Sequence, residues 1–162
     1  MFEVFLPFLL GLIVGISPSD PPAQGIATAT PEVPRPVEDQ TATGQFTTAA
    51  EVKPILEATK GNWVAIRNYE GQDLVYFTHL MSWRCGLWEV RYGLNGAAPD
   101  TLLEMEPCHI GTATPNAMTA VDEVLPYISQ PSDSIDSISV AVSYDDGTAD
   151  MASFSRAEVL IP

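Results

Sequence analysis

Cys85 and Cys108 are the only two cysteines in this 162-residue chain, and His79 and His109 the only two histidines. Imidazole and thiolate together suit a soft metal such as copper or zinc. Their spacing here, however, fits none of the patterns of a zinc site. A metal or redox protein around His79, Cys85 and Cys108 therefore ranks behind the simpler chemistry, since an even pair of cysteines in an exported chain reads as a disulfide. Closing a loop of this length contributes about 3 kcal/mol. A hydrolase built from Cys85, His79 and Asp73 has its three members at equal parity on a strand-like run, but six residues of extended strand span roughly 20 Å and hold them apart. The same distance argument weakens Asp73 with Glu89 as an acid/base pair. With no nucleophile motif, phosphate loop or zinc spacing in the chain, the sequence predicts neither an enzyme nor a cofactor.

Arg67, Arg84 and Arg91 concentrate positive charge in a chain of 21 acidic and 7 basic residues. With Trp63, Trp83, Trp88 and Tyr92 nearby they could frame a groove for an anionic group or a sugar. The residues that would line it are Trp83, Arg84, Trp88, Arg91, Arg67 and His79. Alternation along the stretch favours a plainer reading, with the tryptophans in the core and Glu89 and Arg91 facing solvent. Asp145-Asp146 suggests a calcium site, yet a DDG turn between two good strands explains the pair without an ion. The net charge of −14 argues against nucleic acid and anionic surfaces as partners. It leaves an envelope or extracellular protein, or a small ligand.

Positioning these residues falls to the stretch Gln72 to Gly96. Its two strand-like runs, Leu74 to Arg84 and Leu87 to Leu94, are joined at Cys85-Gly86 and closed by Asn95-Gly96, a pair suited to positive φ. Trp63 to Leu80 reads as a hairpin turning at Glu70-Gly71. In Leu87 to Leu94, Trp88, Val90, Tyr92 and Leu94 share one face and Glu89 and Arg91 the other. Thr101 to Met105 reads as a short strand and 109–124 as a long loop with one helical turn near Ala120 to Val124. Leu125 to Ser129 follows as an edge strand beside Pro126. Ile138 to Tyr144 and Thr148 to Phe154 form a second hairpin. Ahead of all this, Ala49 to Lys60 reads as a helix. Thr48 and Glu51 have the capping-box spacing, Gly61 can take a left-handed position beyond the end, and Pro54 sits awkwardly inside.

Short strands with turn signals every eight to twelve residues predict a mainly β fold, an immunoglobulin- or fibronectin-like β-sandwich with one N-terminal helix packed on it. Residues 47–162 would form that single domain. Val4 to Ile16 is an uninterrupted apolar run, short for a membrane span and suited to a secretory signal. Small-x-small patterns follow at Ala23-Gln24-Gly25 and Ala27-Thr28-Ala29. The expected organisation is thus a signal peptide or short anchor over 1–25 and a Pro/Thr/Ala-rich disordered linker over 26–46. Membrane contact would come only through an uncleaved N-terminal segment. The strings WVAIRNYEGQDLVYFTHL and WRCGLWEVRYGLNG, with Cys108 just after a proline, resemble a group of small exported bacterial proteins of unknown function. That resemblance spans about Ala49 to Leu160 and implies a periplasmic or secreted setting and no catalytic residues. The leading expectation is an exported non-enzymatic β-domain that interacts with another envelope component. Its alternative is a ligand- or carbohydrate-binding module.

Overall fold

A computed structural model of the chain describes residues 34–162, so the signal or anchor and the first part of the linker lie outside the described residues. What is described is mainly β, in two four-stranded, largely antiparallel sheets with a few short helices. The first sheet has the order β5-β2-β1-β8, from Tyr127–Pro131, Gln72–Tyr76, Ala65–Tyr69 and Leu160–Ile161. The second has the order β4-β3-β6-β7, from Thr101–Leu102, Leu87–Leu94, Ser137–Tyr144 and Ala149–Ser155.

Turn chemistry sets the register of both hairpins. Glu70 and Gly71 take φ of 49° and 77°, so β1 and β2 pair tightly from Tyr69↔Gln72 to Ala65↔Tyr76. In the other hairpin Gly147 supplies the positive φ after Asp145-Asp146, and β6 pairs with β7 from Ser143↔Ala149 to Ser137↔Ser155. Strand β5 sits at an edge of its sheet, where Pro131 leaves no ladder bond unmade. Ile66, Val75, Val90, Ile138, Val140 and Val142 from the two sheets, with Ala49, Val52 and Leu56 of a helix, share one buried core.

That helix, α1 (Ala49–Ala58), differs from expectation at both ends. Thr48 makes no capping hydrogen bond to the backbone; its hydroxyl donates instead to Glu51, whose carboxylate also accepts from the Gly44 and Thr47 amides. The first helical amide, Ala49 N–H, donates 2.8 Å to the carboxylate of Asp145 in the β6–β7 turn. Asp145 also accepts from the Gln40 amide and donates its own N–H to the Gly86 carbonyl. Gly86 has to be glycine, because a Cβ there would collide with Val52 and the Thr48 carbonyl. At the far end Gly61 takes no left-handed conformation, and the chain runs on into a 3-10 turn, Lys60–Asn62.

The largest correction falls after β2. The strand expected to run to Arg84 stops at Tyr76. Thr78–Met81 is a helical turn, α2, and Arg84–Gly86 a 3-10 turn. Leu80 and Met81 are adjacent and both buried, and the turn is closed by the Met81 and Ser82 amides donating back to the Phe77 and Thr78 carbonyls rather than to a neighbouring strand. A second correction concerns Trp88. The β3–β6 register shifts between Leu87 and Glu89, and this bulge removes Trp88 from the core face that Val90 keeps. After β7 come a turn the sequence reading lacked, α3 (Arg156–Val159), capped reciprocally by Ser155 and Glu158, and the two-residue β8, parallel to β1.

Residues 34–46 belong to the segment expected as a spacer, and several of them bond to the β-domain. Glu38 N–H donates to the Asp145 carbonyl, and the Trp88 indole donates 3.1 Å to the Glu38 carboxylate. Asn116 donates to the Phe46 carbonyl.

Candidate functional site

Cross-strand partners share a sheet face, and on the outer face of the first sheet this brings three tyrosines and Arg67 together, with Leu74 opposite Arg67. Ala65 pairs with Tyr76 and Tyr76 with Tyr127; Tyr69 pairs with Gln72; Arg67 lies beside Ile161. The result is a row of tyrosines with an arginine among them. Tyr76 and Tyr127 pack with ring centroids 5.3 Å apart, and the Arg67 guanidinium lies 5.4 Å from the centre of the Tyr69 ring. Where β2 gives way to α2, the surface deepens into an open cleft of about 470 Å³ lined by Asn62, Arg67, Tyr76, Thr78, His79 and Ile161. That is within the size range of small-molecule sites.

Two groups give the cleft its polarity. Arg67 is exposed and, among the described residues, faces no carboxylate; its only partner is the Tyr69 ring. His79 has one nitrogen committed, because its Nε2 lies 2.7 Å from the Thr59 hydroxyl. That hydroxyl donates its single proton 2.6 Å to the Ile55 carbonyl, so the imidazole must be the donor to Thr59. The protonated nitrogen is therefore Nε2, and Nδ1 keeps a free lone pair. Burial lowers the His79 pKa, which holds the ring in this neutral form.

The other residues read as groove-forming end up elsewhere. Arg84 is buried, 4% exposed, and donates to five carbonyl oxygens, those of Met81, Glu106, Pro107, Asn116 and Ala117. Burial pulls its guanidinium pKa down and the Glu106 charge opposes that shift. With its donors spent on holding the loop beyond β4, Arg84 has nothing to offer a ligand. Trp83 is half-buried in an edge-on contact with Phe46, and Trp88 lies under the Arg35 guanidinium. Arg91 pairs with Glu89 at 2.7 Å and donates to the Asp100 carbonyl. Of the six residues, Arg67 and His79 line this cleft together, while Arg84 and Trp88 meet in a second one of about 300 Å³ beside the disulfide.

Cys85 and Cys108 form the disulfide, with Cα atoms 5.1 Å apart. This oxidised pair fits a protein outside the cytoplasm. His109 is turned to the Glu106 carboxylate at 2.5 Å. Glu106 also accepts from the Thr119 hydroxyl and the Thr119 and Ala120 amides, and these bonds hold its pKa at about 2. Among the described residues no group of three or more His, Cys, Asp or Glu is placed to hold a metal ion, and no helix is long and apolar enough to cross a membrane.

Sequence reasoning missed Tyr76, Asn62 and Ile161. The parity of Tyr76 with Leu74 was visible, but not that the strand would end there; Asn62 and Ile161 reach the cleft through a 3-10 turn and a C-terminal strand with no sequence signal. No protein-family model, curated protein or solved structure matches the chain.

Proposed function

We propose that the chain is an exported, non-enzymatic β-domain of the bacterial periplasm or exterior that works by binding, and that it binds a small anionic ligand on the outer face of its first sheet. One observation carries this reading: Arg67 is exposed beside a cleft without a carboxylate partner among the described residues, in a chain where acidic residues outnumber basic ones threefold. Surrounded by that much negative charge, a surface arginine ordinarily finds an acid. One held over a tyrosine ring instead keeps its fork available to a carboxylate or phosphate. For the architecture we infer a sandwich of the two sheets, supported by the core they share. Immunoglobulin- or fibronectin-like connectivity is the finer form of that inference.

The test is a nuclear magnetic resonance titration of the labelled full-length chain with small carboxylates, phosphates and sugars. Shifts clustered on Arg67, Tyr76 and His79, and lost in Arg67→Gln, support the reading. Shifts confined to other faces would end it.

A second reading, an interaction module for an envelope protein, draws on the groove between β4 and β5. Exposed Leu102 and Leu125 flank Tyr127 and Ile128 there, with Glu104 and Glu123 at the rim. It predicts that a photo-crosslinker at position 125, and not one at position 67, captures a single defined envelope protein.

A further inference from the structure

We infer that the ligand of the Arg67 cleft is a sugar acid, a hydroxylated ring carrying one carboxylate in the manner of a uronic acid; this rests on the cleft being the binding site. Three features of the site select that chemistry.

The first is the anion. Only one guanidinium lines the cleft, and it is planar and forked, a match for a single carboxylate held by two parallel bonds. A phosphate dianion gains most from several cations or a helix N-terminus. It is also repelled more strongly than a monoanion by a chain of net charge −14.

The second feature is the mixture of donors and acceptors. Because Thr59 fixes the His79 proton on Nε2, Nδ1 can only accept, and it is the polar atom the imidazole has left. The Asn62 amide and the Thr78 and Tyr76 hydroxyls can donate or accept. A ligand that satisfies such a wall must itself both donate and accept near its carboxylate. Sugar hydroxyls do; a simple aliphatic or aromatic acid leaves Nδ1 unpaired, and a dicarboxylate puts a second negative charge against it.

The third is the surface under the ring. Tyr76, tilted against Tyr127, offers an aromatic side, and Ile161 an apolar one, in a space of about 470 Å³. An aromatic platform beside hydrogen-bonding side chains holds the C–H face of a sugar ring while its hydroxyls point to the polar wall.

The experiment titrates the labelled full-length chain with sodium D-glucuronate, methyl β-D-glucuronide, D-glucose, cyclohexanecarboxylate and inorganic phosphate, following the Arg67 side-chain Nε and the His79 ring nitrogens. Glucuronate is expected to move both signals, His79 at Nδ1, and to bind about tenfold more tightly than cyclohexanecarboxylate, the worth of one or two hydrogen bonds. D-Glucose should fall behind by at least that factor. Arg67→Gln should abolish glucuronate binding. His79→Phe should erase the preference over cyclohexanecarboxylate, and Tyr76→Phe, which keeps the ring, should reduce that preference without touching the fold. Methyl β-D-glucuronide separates the sources: binding equal to glucuronate marks the end of a glycan, and loss of binding marks the free acid. Cyclohexanecarboxylate or phosphate binding as tightly as glucuronate, with Arg67 still responding, overturns the sugar-acid assignment and leaves anion binding in place. Silence at Arg67 with every probe overturns both.

Discussion

Arg67 and Arg84 stand seventeen positions apart, each with an aromatic residue within two positions, and the fold puts them to opposite uses. Arg84 lies under the surface with five carbonyl partners, stapling α2 to the loop that follows β4 next to the Cys85–Cys108 bond. Arg67 stands on an open sheet face with an aromatic ring for company and, among the described residues, no acid. The difference is one of partners rather than residue type. A buried guanidinium must have its donors satisfied by the protein, so it is spent. An exposed one without a counter-charge is available.

The sharpest way to break this contrast is to remove each arginine in turn. Arg84→Ala leaves five carbonyls to find new partners and opens a gap in the loop, and should cost about 4 kcal/mol in urea unfolding. Arg67→Ala should change stability by less than about 0.5 kcal/mol and act on binding alone. Equal losses in the two variants would mean that partner count does not separate scaffold from site in this protein.

The disulfide sharpens the same contrast. Cys85 adjoins Arg84, and the bond to Cys108 closes a loop with a sequence separation of 23, so Cys85→Ser with Cys108→Ser should lower stability by about 3 kcal/mol. Because Arg84 and the disulfide fasten the same loop, the triple variant should lose less than the sum of the two effects. The Arg67 cleft is built from the Lys60–Asn62 turn, β1, β2, α2 and β8, and ligand shifts there should survive the double substitution wherever the domain stays folded. Strict additivity would show the two fastenings to be independent.

How far the sequence revealed this division depended on how local each cause is. Glu70-Gly71, Asn95-Gly96 and Asp145-Asp146-Gly147 carry their turns in their own residue types, and the hairpins they close were legible. The disulfide was legible because two cysteines leave a single pairing. Thr78 to Gly86 was not, since a short run apolar at both parities suits a buried strand or a helical turn equally. The start of α1 was visible in Thr48 and Glu51, but its actual cap, Asp145, comes from 96 residues away. Ser155-Arg156-Ala157-Glu158 did carry a readable capping box, and α3 was there to be found. In the site, Arg67 and His79 could be named from residue type. That Arg84 would be buried, and that Asn62 and Ile161 would meet Tyr76, are consequences of tertiary packing with no local signature.

Acid titration tests whether the satisfied interior and the open face are uncoupled. Asp73 is wholly buried and receives both terminal nitrogens of Arg156, at 2.5 and 2.8 Å, and these bonds bring its pKa from 3.8 down to about 2. Glu106, held from 4.5 to about 2 by Thr119 and Ala120, behaves alike. A carboxylate with a depressed folded pKa contributes stability that is complete above its unfolded value and lost as pH falls through the folded one. The acid limb should therefore run from about pH 4.5 toward pH 2. Asp145, its pKa raised by burial, works in the opposite sense, since its contribution falls as the pH rises from its unfolded value to its folded one. Arg156→Gln should cost about 2 kcal/mol at neutral pH and move the acid limb to higher pH, while Arg67→Gln leaves that limb where it is. A shift of the limb in Arg67→Gln would tie the cleft to the buried network.

The smallest effect bears on the partner-counting rule itself. The Tyr144 hydroxyl is, among the described residues, a buried side-chain polar atom with no hydrogen-bond partner, and burial pushes its pKa up to about 12. The ring packs in the core with the Lys53 ammonium 5.2 Å from its centre. An unpaired hydroxyl taken out of water costs folding free energy that phenylalanine of the same shape does not incur. Tyr144→Phe should accordingly be neutral or stabilise by up to about 1 kcal/mol, against the usual direction for a fully buried aromatic. A loss of more than about 1 kcal/mol would mean that this hydroxyl has a partner, such as an ordered water bridging to a neighbouring acid. Availability would then have to be judged from solvent as well as from side chains, at Arg67 first of all.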